Sequence, residues 1–147
     1  MGNYKYDERT GDFIINKGPK LNELRFSKIE MLSIVQACVL AIGVNGYISN
    51  VKMQTLKGEL FQLCGFNSDL METILKDCLS ITIEDLIVNL VNLNENQKCY
   101  VVALVIVVMF AERNITDEET KFFSMLTYTC KFPNVTIADA FELMSNL

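Results

Sequence analysis

The amino-acid sequence predicts one all-α domain of seven helices with an internal pseudo-two-fold repeat, residues 27–147, preceded by a short N-terminal arm, residues 1–26. Three observations lead there. Helix-capping residues recur ahead of each apolar stretch, the apolar residues within a stretch fall at helical spacing, and two stretches are apolar on nearly every side. The caps are the most legible signal. Ser27-Lys28-Ile29-Glu30 has the form of a capping box, with Phe26 and Met31 placed as a hydrophobic staple around it. Thr82-Ile83-Glu84-Asp85, Thr116-Asp117-Glu118-Glu119 and Thr136-Ile137-Ala138-Asp139 repeat the device, and Asn94-Glu95-Asn96-Gln97 is a looser form. Ser49 and Ser68 are candidate caps for two further helices.

These starts, with the stops read from turns and loss of periodicity, predict helices over 28–43, 50–64, 69–79, 83–93, 95–112, 117–131 and 137–146. Met53, Leu56, Leu60 and Leu63 form one apolar stripe, and Ile83, Leu86, Ile87, Leu90 and Leu93 another. The first and fifth helices are apolar nearly all round, over Ile34 to Ile42 and Val101 to Ala111, which places them at the centre. In the arm, Tyr4-Lys5-Tyr6 and Phe13-Ile14-Ile15 flank the turn-like Arg9-Thr10-Gly11-Asp12 and could pair as a β-hairpin. Such a hairpin is marginal alone, so it docks on the helices, adds to a partner's strand, or stays loose; docking is the leading reading.

Sliding the chain against itself by 67 positions lays Ile48 on Ile115, Ser49 on Thr116, Asn50 on Asp117, Leu56 on Phe123 and Phe61 on Tyr128. Identity is sparse. Both halves nevertheless share one plan, an apolar helix, a polar turn, an isoleucine, a Ser or Thr cap and an amphipathic helix, which favours an internal duplication over chance. The two turns read Asn45-Gly46-Tyr47-Ile48-Ser49-Asn50-Val51-Lys52 and Glu112-Arg113-Asn114-Ile115-Thr116-Asp117-Glu118-Glu119. This pattern, over roughly Ser27 to Phe132, resembles the tellurite-resistance TerB-like family of helical domains, whose repeated motif is Asp-Gly-x-Ile-[Asp/Ser/Thr]-x-x-Glu. The resemblance implies a seven-helix pseudo-repeat domain that serves as an accessory or interaction module in bacterial stress and defence settings. It also implies metal binding through the motif's acidic positions, but here those positions carry Asn45, Glu112 and Lys52, and only Glu119 keeps the closing carboxylate.

Composition closes off several functions. The formal net charge is -5, which disfavours nucleic acid, since phosphate binding rests on Lys and Arg. Histidine is absent, so the common catalytic triads and the commonest metal ligand are missing, and neither phosphate-cradling glycine motif occurs. The catalytic set is therefore expected to be empty, with no cofactor. Five cysteines without a Cys-x-x-Cys pair read as reduced, inert core thiols of a cytoplasmic protein. The opening residues lack a signal-peptide pattern, and Tyr6 stands where a myristoylation signal wants Ser or Thr. The best candidate for a membrane segment, the uncharged run Tyr100 to Ala111, spans 12 residues, well short of the about 20 needed to cross a bilayer.

Two features invite a divalent-cation reading. The first turn echoes the middle of an EF-hand loop, but its other ligand positions fall on Ala41, Gly43 and Lys52, so a plain helix-helix turn with Gly46 at positive φ is favoured. Glu112, Asp117, Glu118 and Glu119 form the densest acidic patch, yet three of them occupy the first turn after the Thr116 cap, where the helix dipole favours negative charge. The expected function is a non-enzymatic protein-interaction module with a protein partner; a divalent-metal sensor using those four carboxylates is the alternative.

Overall fold

The computed structural model describes residues 4–16, 23–112 and 114–145. Among them run three strands, β1 Tyr4–Asp7, β2 Asp12–Asn16 and β3 Glu23–Phe26, then seven helices. The helices are α1 Lys28–Gly43, α2 Asn50–Leu63, α3 Ser68–Asp77, α4 Ile83–Val91, α5 Glu95–Met109, α6 Asp117–Cys130 and α7 Ile137–Ser145, with a 3-10 turn at Cys78–Ser80 after α3.

Each helix starts where a side chain satisfies a free N–H. Ser27 and Glu30 make the reciprocal capping box of α1 (2.8 and 3.2 Å), and Asn94 with Gln97 does the same for α5. Thr82, Thr116 and Thr136 cap α4, α6 and α7. One cap differs from expectation: α3 is capped by Asn67, whose Oδ1 accepts from Leu70 N, so Ser68 is its first helical residue. The helix also stops earlier, at Asp77, and tightens into the 3-10 turn, which the Ser80 hydroxyl closes by donating to Asp77 O. Gly46 has φ 89°, the left-handed turn expected between α1 and α2.

The two apolar helices lie at the centre. Met31 to Cys38 of α1 and Tyr100 to Ile106 of α5 are buried without a break, and they pack against each other. Around them α2 packs on α5 and α6 on α1, while α4 covers α1 and α7 covers α5. Over these stretches both central helices lose their solvent face, which explains why neither stretch has a polar side. No helix among the described residues is long and apolar enough to cross a membrane.

The N-terminal strands dock. β1 and β2 pair antiparallel with Tyr4 opposite Ile15 and Tyr6 opposite Phe13, the hairpin expected from sequence. A third strand was not expected: Phe26 pairs with Phe13 and Leu24 with Ile15, giving a three-stranded sheet in the order β1-β2-β3. Alternation puts Phe13, Ile15, Leu24 and Phe26 into the same core as the helices. The Phe26 ring meets Tyr100 of α5 at a centroid distance of 5.8 Å.

Candidate functional site: the junction of the two turns

The turn from α1 to α2 and the turn from α5 to α6 meet inside the molecule. Ser49, the cap of α2, donates its hydroxyl to Glu112 Oε1 in the other turn. Thr116, the cap of α6, donates to Asn45 Oδ1 in the first turn at 2.7 Å. Between them the Lys52 ammonium donates to Glu119 Oε2 in an ion pair whose side chains are 4% and 0% exposed. The sequence separations are 63, 71 and 67. Under the 67-residue offset Ser49 becomes Thr116 and Glu112 becomes Asn45, so the first two contacts exchange and the ion pair maps onto itself. That is the reciprocity of a two-fold interface, here within one chain.

Glu119 uses both carboxylate oxygens. Oε1 accepts from Thr116 N at 3.0 Å, completing the capping box, and Oε2 takes the lysine. Burial works against its charge, but the hydrogen bonds from Lys52, Thr116 N and Asn45 and the nearby ammonium outweigh it and hold the pKa below the usual carboxylate value. Lys52 occupies the equivalent third position of α2, where its own N–H, not its side chain, meets the Ser49 cap at 3.3 Å. Its long side chain is thereby free of a capping role and turns inward.

The four carboxylates of the metal-sensor alternative do not gather into one site. Asp117 and Glu118 are exposed on the first turn of α6, Glu112 is half-buried against Ser49, and Glu119 is buried against Lys52. Among the described residues no group of three or more His, Cys, Asp or Glu side chains stands together in a way that could hold a metal ion. Arg113, which the sequence sets beside Glu112, lies outside the described residues. The cysteines are unpaired; Cys38, Cys64, Cys78 and Cys130 are buried and Cys99 is half-buried.

Sequence reasoning missed two polar features. The 67-residue offset does place a lysine opposite a glutamate, so a signal for the ion pair existed, but Glu119 at the third position of its helix reads as the capping-box partner of Thr116. The second is Glu59 on α2, whose Oε2 accepts from the Tyr4 hydroxyl of β1 and, at 2.6 Å, from the Tyr100 hydroxyl of α5. Three elements are pinned at one oxygen. Beside it Thr55, Leu104, Val107, Phe141 and Met144 line a cavity of about 260 Å³ between α2, α5 and α7.

The outer faces of the two turns differ. Tyr47, Ile48 and Val51 of the first are 65%, 52% and 50% exposed. Their equivalents in the second are Asn114, the half-buried Ile115 and Glu118. One turn therefore presents an apolar surface where the other is polar.

No family model matches the sequence, and no curated protein matches it. The crystal structure of a protein of unknown function from Porphyromonas gingivalis W83 superposes with a TM-score of 0.73 at 24% identity, covering 83% of this chain and 98% of that one. The likeness is one of fold.

Proposed function

We propose that this chain is a non-enzymatic protein-interaction module that acts inside a bacterial cell in a stress, defence or mobile-element system, as its resemblance to TerB-like domains implies. The observation that carries the reading is the divergence of the two turns. Exposed Tyr47, Ile48 and Val51 stand where the equivalent positions of the second repeat are polar or half-buried. Single exposed apolar residues are ordinary, but three clustered on one turn, one of them a tyrosine, have the composition of an interface core. The partner is a protein: the net charge of -5 disfavours nucleic acid.

The resemblance also implies a divalent metal held by the carboxylates of both motifs, and the residues present do not fit one. A hard cation wants six or more oxygens, several of them carboxylates. Here Glu119, the one fully buried side-chain carboxylate among the described residues, already holds the Lys52 ammonium. The metal-sensor alternative loses support accordingly.

The experiment is affinity capture from the native cells with the wild-type chain and with Tyr47→Asp and Val51→Asp, which spare the Ser49 cap. A partner retained stoichiometrically by the wild type and lost with both variants is the expected result. Equal capture by folded variants would refute this surface as the docking site.

A further inference from the structure

The apolar outer surface of the first turn continues along α2. Leu56, Leu60 and Leu63 bury one side of that helix, and the helical period sets the exposed Val51, Gln54, Gly58 and Gln62 on the other, with no charge among them. Under the 67-residue offset α6 carries Glu118, Lys121 and Met125 where α2 has Val51, Gln54 and Gly58. At the far end of α2, Gly65 N donates to Gln62 O and Phe66 N to Phe61 O, at 3.0 and 2.9 Å, which closes the helix. That closure holds Phe66 at φ 60°, a left-handed conformation that strains a bulky residue, and its ring meets Phe61 edge-on at 5.3 Å yet Phe66 stays 68% exposed. An aromatic kept against strain and left in water points to a contact outside the fold.

The two ends of this face complement each other. Asn50, Val51, Gln54 and Thr55 line an open hollow of about 460 Å³ at one end, and the Phe66 ring projects at the other. Midway stands Gly58, where a Cβ would meet nothing within 4 Å, so the surface is notched there. Val51 precedes Gly58 by about 10 Å along the axis and Phe66 follows it by about 12 Å, at 1.5 Å per residue. We infer that the partner on this face is a second copy of the chain, its α2 antiparallel to this one across a two-fold axis at Gly58, with Phe66 of each copy seated in the hollow of the other. A two-fold interface must be self-complementary, and a knob and a hollow at nearly equal distances from a notch meet that condition. Each copy carries a net charge of -5, so two copies approach best through a face without charge. Tyr47 and Phe66, each about two-thirds exposed, present roughly 200–330 Å² per copy. With Ile48, Val51 and the helix face between them, two copies bury roughly 1,000 Å², the lower bound for specific association. This rests on the reading that the outer face of the first turn docks a protein, and it adds which protein.

The test is sedimentation equilibrium of the purified full chain with no other protein present. The wild type should pass from 16.7 kDa to twice that mass by roughly 200 µM, the weak end for an interface of this size. Gly58→Lys should stay a single chain, its association weakened about 100-fold or more, yet melt no lower than dilute wild type, because the new side chain enters open space on a helix that glycine weakens. The axis sets Gln54 opposite Gln62 of the second copy, so Gln54→Glu and Gln62→Lys should each weaken the dimer and, combined in one chain, restore it. A wild type that stays monomeric overturns the inference, as does a Gly58→Lys protein that dimerises like wild type or a combined variant no tighter than either single one. A chain monomeric by itself that still captures a different protein, lost with Tyr47→Asp and Val51→Asp, would sink the second copy alone and leave the docking surface standing.

Discussion

Replacing Tyr100 by Phe removes a single oxygen from the middle of the protein, and the structure says what that oxygen does. Tyr100 is 0% exposed, its ring fills space against Phe26, and its hydroxyl donates to Glu59 Oε2 at 2.6 Å. Phe keeps the ring, so no cavity opens, and the loss is one hydrogen bond to a charged acceptor, about 1.5–3 kcal/mol. For a chain of this size each kcal/mol moves the midpoint by about 2–4 °C, so a drop of roughly 3–12 °C is expected. Tyr4 donates to the same oxygen but is only half-buried, so Tyr4→Phe should cost less. Burial first, and the Glu59 carboxylate second, raise the Tyr100 phenol well above its ordinary 10.0. A raised folded-state pKa gives stability that is complete below the unfolded value and is lost as pH rises past it, so wild type should weaken above about pH 10 more steeply than Tyr100→Phe. Urea unfolding followed by circular dichroism measures both. A loss under about 0.5 kcal/mol at neutral pH would refute the role given to this hydroxyl.

Three further outcomes are expected. Val105→Asp should abolish folding, since Val105 is 0% exposed and an unpaired interior carboxylate costs several kcal/mol; soluble protein with wild-type helicity would contradict the buried placement of α5. Acid should destabilise through Glu119: its pKa is depressed below the ordinary 4.5, so its contribution is present above that value and disappears as pH falls through the lower folded value. Glu119→Gln should flatten the acid limb of the stability profile, and an unchanged limb would contradict this. Thiol titration of the native protein should label Cys99 first, because it is half-buried while the other four are buried; burial raises all five thiols, Cys64 to about 12 and Cys78 to about 11, and rapid labelling of two or more would contradict the order.

The helices were legible because their starts are written locally. A capping oxygen and the periodicity that follows it occupy one short stretch of chain, and six of the seven first residues fell where the caps put them, α3 alone starting one residue early at Ser68. β3 was not legible because Glu23-Leu24-Arg25-Phe26 is a four-residue alternation ahead of a strong helix start. Its strand character comes from pairing with β2, a tertiary event. The N-terminal hairpin was readable as a hairpin, whereas its docking depends on Phe13, Ile15 and the Tyr4 hydroxyl finding α2 and α5 across the fold.

The junction was half legible. The offset aligned the two turns and singled out Asn45, Glu112, Lys52 and Glu119, but it showed these positions only as conforming to or departing from a motif. Lys52 read only as a departure from the motif's closing carboxylate and as an unsuitable ligand position. That it reaches across to Glu119 follows from the packing of α2 on α5 and α6 on α1, which no local pattern encodes.

A double-mutant cycle on Lys52 and Glu119 tests most directly whether the two repeats are held together at a buried ion pair. Lys52→Met leaves the Glu119 carboxylate buried without its cation, and Glu119→Gln leaves the ammonium buried without its anion while an amide oxygen still serves the Thr116 cap. Each should cost about 3–5 kcal/mol. The double variant removes both charges and should lose far less than the sum, with a coupling energy of roughly 1–3 kcal/mol or more in chemical denaturation. Additive losses, or single variants within about 0.5 kcal/mol of wild type, would contradict the account.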